Sequence, residues 1–414
     1  MGYEHLMPQA LLDSGHEIVL VPPPEPVVYV APTPPEMPAD REPIVWRSST
    51  SKNRVVRVLT NRTVNQLDYL LRSWANRHSD AYRAYMQADR EYHKRLAHPF
   101  LYFDWQANEA LVEAVVNTHA DIVQAVDLPS LDTAWQASQR LHSRLVYAAH
   151  ELWVGFVRNP DFNAQPFEAA GLLAVERRRI HDADLITVTS DTMGERLIQI
   201  YGIHKPLTIL NSPPERVETP RPVSEPVRLV YHGGLSNDRN IDGLIRAVAL
   251  MGDRVTLDIH GFSRTVDLGA LANLAEELGL ADTVRFHGAF EYADVVDLLS
   301  GYDVGVMTAK VIEENFEVTL PNKVFDCMCA GLAVAMYDSP AVRAVLAEVP
   351  FGITLDPSSP VSIARDLEPL VSDPDRIAQM KSAAVTAAHD YWWPAQGQAL
   401  VDAFAHILKR RRVS

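Results

Sequence analysis

The 414-residue sequence predicts an α/β protein made of two domains of similar size, each a parallel sheet with crossover helices. Three observations carry this. Short apolar runs alternate with helix-length amphipathic segments, the pattern of βαβ units. The alternation breaks off at Pro213–Pro226, where five prolines and five charges leave little to bury. It then restarts and runs nearly to the end of the chain.

In the first half the expected strands are Glu17–Val21, Ile122–Ala125, Leu145–Ala148, Leu185–Thr189 and the short Leu207–Leu210. Residues 22–43 are Pro-rich and read as an irregular connection. Residues 62–118 read as a helical insertion rich in aromatics, among them Tyr69, Trp74, Tyr82 and Trp105. A doubly wound domain ordinarily opens on a buried strand and a glycine turn, yet Met1 leads almost directly into the helix-like Glu4–Ser14. Either this domain lacks its first strand or the start is internal to a longer chain. The second half supplies Val227–His232, Val255–Ile259, Val284–Phe286, Val304–Met307, Leu332–Met336 and Gly352–Leu355. The expected organisation is a first Rossmann-like domain over 1–212, a linker at 213–226, and a second Rossmann-like domain over 227–390 facing it across a cleft. A last helix over 391–414 crosses back to the first domain.

Composition narrows the function. A net charge of -15 argues against nucleic-acid binding, which needs a basic footprint. No apolar run is long enough for a transmembrane helix, and the amino terminus lacks a signal-peptide pattern. The two cysteines, Cys327 and Cys329, sit two apart in an expected helix and so face different ways. They suggest neither a disulfide nor a metal site, and a cytoplasmic setting fits. The charge is uneven: cations outnumber acids between Arg47 and Arg95, and Lys409–Arg412 closes the chain on four cations. The stretch 47–95 reads either as helix surface with solvated cations or as a peripheral membrane contact at the inner face, since lipid headgroups attract basic residues at ~1 kcal/mol each.

Two segments carry chemistry. In LVYHGGLSNDRNIDGLIRAV, residues 229–248, a strand ends at His232, Gly233 and Gly234 follow, and a helix begins with Ile241, Leu244, Ile245 and Val248 on one face. Glycines let backbone approach a ligand, a helix start offers unpaired N–H groups to an anion, and Arg239 could grip a diphosphate. The same residues also fit a plain strand-to-helix turn with a solvated arginine. The second segment, NFEVTLPNKVFDCMCAGLAVAMYDS at 315–339, is more specific. A helix opens after Leu320–Pro321–Asn322 with Asn322 or Thr319 as candidate cap, and Gly331 ends it. Lys323 stands in its first turn, where a cation opposes the helix dipole unless an anion sits nearby. Asp326 follows, placed to accept hydrogen bonds from sugar hydroxyls.

These motifs resemble the retaining GT-B glycosyltransferases of family 4 (glycosyl transferases group 1). LPNKVFDCMCAGLAV is similar to that family's donor-binding pattern, in its LPNK subtype, and HGGLSNDRNIDGLI to its glycine turn with a phosphate-binding cation. ADIVQAVDLPSL, LVYAAHELW and ERRRIHDADLITVTSDTMGERLIQIYG resemble its first-domain motifs, so the likeness runs from Asp121 to Trp393. It implies a nucleotide-sugar donor as co-substrate, with no other cofactor and no metal. Arg239 and Lys323 would hold the donor diphosphate and stabilise the leaving group. Gly233, Gly234 and the Thr319–Leu320 backbone would line it, and Asp326 would hydrogen-bond the ribose. His150 would meet the transferred sugar, with Asp127 and Glu151 as second-rank candidates at strand ends.

The pattern is also departed from. Where the family has a glutamate eight residues before a second one, this chain has Val318 before Asp326, with Glu317 adjacent. Gly234 stands where a second cation is common. The expected activity is sugar transfer, with retention, to a glycan, lipid-linked or small-molecule acceptor. The alternative is a non-catalytic GT-B subunit that binds nucleotide sugars or acts as a scaffold. An epimerase of the same fold fits less well, because its acidic and histidine clusters cannot be placed.

Overall fold

The structure is a computed structural model that describes residues 17–21, 44–46, 54–58, 105–158, 166–263, 266–311 and 313–409. The expected helix at 4–14, the Pro-rich stretch 22–43 and the cluster 410–412 lie outside the described residues. So does the stretch 47–95 apart from 54–58, and of the insertion at 62–118 only residues from Trp105 onward are described.

The chain divides into two compact units. One contains Ile209–Ala399 with Thr189–Arg196; the other contains most of the chain before Thr189, Leu197–Thr208 and the stretch from Leu400. The first sheet orders its strands β2-β1-β3-β4-β5-β6-β7. These are β1 (Glu17–Val21), β2 (Ile44–Trp46), β3 (Arg54–Val58), β4 (Ile122–Val126), β5 (Arg144–Ala149), β6 (Leu185–Val188) and β7 (Leu207–Thr208). Only β2 is antiparallel, Ile18 pairing with Trp46. The sheet is continuous: β3, unforeseen in the sequence, lies between β1 and β4, with Val55 beside Ile122. The described helices of this half are α1 (Trp105–Val116), α2 (Leu128–Leu141), α3 (Trp153–Arg158), α4 (Pro166–Arg179) and α5 (Asp191–Tyr201). Strand β4 is buried along its whole length, as a strand covered on both faces must be. Glu176 of α4 is buried and accepts from the hydroxyls of Tyr147 on β5, at 2.8 Å, and Tyr201.

The second sheet, in order β10-β9-β8-β11-β12-β13, is wholly parallel. Its strands are β8 (Val227–His232), β9 (Val255–His260), β10 (Val284–His287), β11 (Val304–Met307), β12 (Ala333–Tyr337) and β13 (Gly352–Leu355). The crossovers are α6 (Ile241–Met251), α7 (Leu268–Glu277), α8 (Val295–Leu299), α9 (Glu314–Val318), α10 (Asn322–Cys329), α11 (Pro340–Glu348) and α12 (Pro360–Val371). Helices α13 (Pro374–Tyr391) and α14 (Trp393–Lys409) follow, and α14 passes from one unit into the other at Leu400. The core of this unit is continuous from Val227 to Ala388. It holds one full ion pair, Lys381 of α13 on Asp303 at 3.0 Å, both side chains 1% exposed. Asp303 also accepts the N–H groups of Ser224 and Arg228, which offsets the cost of burying it.

The segment Pro213–Pro226 has no helix or strand, as expected, but it is not left in solvent. The Val217 N–H donates to the Cys329 carbonyl at 2.8 Å, and Val217 and Val223 pack on the core of the second sheet. Counting charges missed the two valines spaced between them.

Candidate functional site

The carboxyl ends of β8 and β9 build one wall of the site. Gly233, directly after β8, takes φ +107, open to glycine and few others, and its N–H donates to the His260 carbonyl at 2.8 Å. A Cβ at Gly261 would overlap the Gly233 carbonyl oxygen, so the two turns pack backbone on backbone. At Gly234 a Cβ would meet nothing, and its carbonyl accepts the Tyr231 hydroxyl at 2.7 Å.

Arg239 ends a short 3-10 turn, Asn237–Arg239, which is tied down from three directions. The Lys310 N–H donates to the Asp238 carbonyl at 2.8 Å, the Thr308 hydroxyl reaches the carbonyls of Arg239 and Asn240, and the Asn240 side chain donates to Pro357. The Arg239 guanidinium lies 5.4 Å from the Phe316 ring centroid and has Asp238 at 3.4 Å.

Helix α10 supplies the second cation. Neither expected cap operates. Pro321 occupies the N-cap position, and no side chain caps the helix. Thr319 instead closes α9, its hydroxyl and N–H both going to the Asn315 carbonyl at 2.7 and 3.0 Å. The Thr319 N–H is therefore engaged, which corrects its expected place among the phosphate donors. The N–H groups of Leu320, Asn322 and Lys323 have no acceptor among the described residues.

The Lys323 ammonium folds back over the glycine turn: a Cβ on Gly233 would stand 2.8 Å from its Nζ. Nζ also lies 5.6 Å from the Tyr231 ring centroid. Burial, followed by the repulsion of Arg239, pulls its pKa down to about 8. Among the described residues Lys323 has no ion-pair partner. Two cations beside an uncapped helix start are an arrangement that can hold an anion.

Asp326, one turn on, is buried at 3% exposure and already engaged. It accepts from the Tyr292 hydroxyl at 2.7 Å and pairs with His232 Nε2 at 2.9 Å. The carboxylate expected to meet a sugar or ribose hydroxyl is thus hydrogen-bonded within the fold. Glu317 is exposed while Val318 is buried, so the adjacent glutamate does not turn inward to fill the missing position. His232 and Tyr292 were not foreseen. His232 carried a signal, as a polar residue closing an apolar strand before two glycines; Tyr292 carried none.

The remaining candidates belong to the other unit. Asp127, at φ 60, directly follows β4, and its Oδ1 accepts the N–H groups of His150 at 2.9 Å and Glu151 at 3.2 Å. The Asp127 carboxylate therefore fixes the backbone on which His150 stands, and His150 is half-buried.

Asp258, His260 and His287 bring ligand-type atoms within 4.8 Å of one another. The two imidazoles, however, stack at 4.2 Å with planes 7° apart, so their in-plane lone pairs cannot meet on one ion. His260 also uses Nε2 on the Tyr302 hydroxyl at 2.7 Å, and His287 uses Nε2 on Asp258 at 2.5 Å.

Comparison with known proteins agrees with this fold. Residues 53–212 match Glycosyltransferase Family 4, and residues 215–386 match Glycosyl transferases group 1. The chain belongs to the GT-B glycosyltransferases of group 1, family 4-like. This glycosyltransferase is 24% identical over 319 residues to a D-inositol 3-phosphate glycosyltransferase of Thermobispora bispora, covering 70% of this chain and 71% of that one. A protein of the same name from Kineococcus radiotolerans is 23% identical, covering 71% of this chain and 73% of its own. Its fold is shared with Anabaena HepE, solved in complex with UDP, at TM-score 0.62 and 17% identity over 85% of this chain and 92% of that one. Sucrose-phosphate synthase from Thermosynechococcus elongatus gives 0.59 and 17% over 73% and 78%. Among the described residues of this glycosyltransferase no helix is long and apolar enough to cross a membrane.

Proposed function

We propose that this glycosyltransferase moves a sugar from a nucleoside-diphosphate sugar to a glycan, lipid-linked or small-molecule acceptor, with retention and without a metal. One observation carries the reading. A half-buried lysine with no ion pair among the described residues stands over a glycine turn, beside an arginine and an uncapped helix start. A diphosphate supplies the charge that such a site lacks. As the bond from the anomeric carbon to the diphosphate breaks, negative charge grows on the departing phosphate oxygens. Lys323, Arg239 and the N–H groups of Leu320, Asn322 and Lys323 stabilise it there. On this reading His150, placed by Asp127, meets the transferred sugar.

Anabaena HepE, a protein of the same fold solved in complex with UDP, makes UDP the first donor nucleotide to try. Thermal-shift titration with UDP, GDP and ADP should single out one, stabilising by ~2.7 kcal/mol at 100 times its dissociation constant. Lys323→Ala and Arg239→Ala should each lower donor turnover well over tenfold, or ~2–4 kcal/mol. Unchanged kinetics in both would sink the proposal. Turnover that survives exhaustive chelation would support the metal-free step.

A binding or scaffold subunit is the second reading, favoured by buried Val318, exposed Glu317 and the bare Gly234. Slow hydrolysis of any nucleotide sugar in a panel argues for the enzyme. Tight binding with no hydrolysis or transfer argues for the scaffold.

A further inference from the structure

We propose, on the basis of the diphosphate reading above, that Ser190 and Arg196 are positioning residues, which hold α9 at both ends and so set the place of the anion site. Ser190 directly precedes α5, and Arg196 stands in its second turn. Thr189–Arg196 belongs to the same compact unit as Ile209–Ala399, so both residues lie in the unit that carries Arg239 and Lys323. Helix α9 has five residues, far short of the ~12–15 at which a helix begins to hold its own shape. Its place is therefore set from outside. Glu314, its first residue, accepts from the Arg196 Nε, and the carbonyl of Val318, its last, accepts from the Ser190 hydroxyl.

Ser190 is a directed donor. It is 1% exposed, and its oxygen accepts the Met193 N–H at 3.0 Å, which leaves the hydroxyl proton for Val318. The Arg196–Glu314 pair is partly buried, with side chains 31% and 24% exposed. A further contact on α9, from the Tyr337 hydroxyl to the Phe316 carbonyl, is long at 3.4 Å. What α9 carries reaches both cations of the site. Phe316, at its centre, puts its ring 5.4 Å from the Arg239 guanidinium. Thr319, directly after it, bonds back to the Asn315 carbonyl, so Thr319 and then Leu320 go where α9 goes. Leu320 offers one of the N–H groups without an acceptor among the described residues, and Pro321 then opens α10 just ahead of Lys323.

The test is amide hydrogen exchange read by mass spectrometry over residues 314–320, on the full chain, beside a UDP titration. Ser190→Ala and Arg196→Gln should each speed exchange in that segment by about threefold or more, and leave peptides of α13 unchanged. UDP affinity should fall in both, roughly threefold or more, as the loss of one hydrogen bond implies. Unchanged exchange over 314–320 overturns the hold on α9. Exchange quickened equally in α13 marks a loss of overall stability and overturns it too. Faster local exchange with unchanged UDP affinity overturns the bearing of α9 on the anion site. If Ser190→Ala does not fold, Arg196→Gln decides, since that side chain reaches solvent. Arg196→Glu combined with Glu314→Arg should recover binding that each single change loses, and a double variant as weak as the two losses combined overturns the pairing. Faster exchange in the variants of a parent that binds none of UDP, GDP and ADP upholds the hold on α9 and sinks the diphosphate reading instead.

Discussion

Gly261 rests its α-carbon against the carbonyl of Gly233, leaving no space there for a methyl group. The backbone of Gly233 is in turn the surface on which the Lys323 ammonium sits. Gly261→Ala should therefore push the Gly233 turn away from β9 and cost ~1–3 kcal/mol, the usual penalty for overfilling a packed interior. Urea unfolding of the variant measures the loss, and UDP titration measures the damage to the anion site. Gly234→Ala, where a methyl group meets open space, is the control and should leave stability unchanged.

Lys323 should cost the ligand-free protein stability. Its pKa falls from 10.5 to about 8 on folding, so between those values the unfolded chain holds more protons than the folded one. Stability then rises with pH across that window, and below it the folded state carries the full burden of the half-buried charge. Lys323→Met should stabilise the ligand-free protein at pH 7 by about 0.5–2 kcal/mol while abolishing UDP binding. The gain should shrink at pH 10. A variant less stable than the parent at pH 7 would contradict the placement of the ammonium.

Asp127 should act through the backbone it holds. Its Oδ1 accepts both N–H groups, so Asp127→Asn keeps the acceptor and should retain most activity. Asp127→Ala leaves two N–H groups to find other partners and should cost ~1–3 kcal/mol, with turnover reduced more than donor affinity. Equal kinetics in the two variants would remove Asp127 from the support of His150.

Much of this was legible in the chain itself. The strands from Ile122 onward were readable because buried parallel strands are short apolar runs between turns, and the runs at Val227, Val304 and Gly352 began where the structure begins them. Lys323 and Arg239 were readable because each breaks or completes a local rule at a helix start. The caps were not: Thr319 and Asn322 are both good capping residues, and the choice fell to Pro321 because α9 claims Thr319 first. The fate of Asp326 was hidden as well. Its partners His232 and Tyr292 lie 94 and 34 residues away on other elements, and only the folded sheet brings them together.

Cys327 and Cys329, the chain's two cysteines, are both buried in α10, and burial raises both thiols well above their usual range. Neither becomes an appreciable thiolate near neutral pH, so maleimide reagents should pass them by. A single cysteine introduced on an exposed face could then carry a fluorophore with the native pair left in place, and the motions of this enzyme could be followed without first stripping its own sulfur.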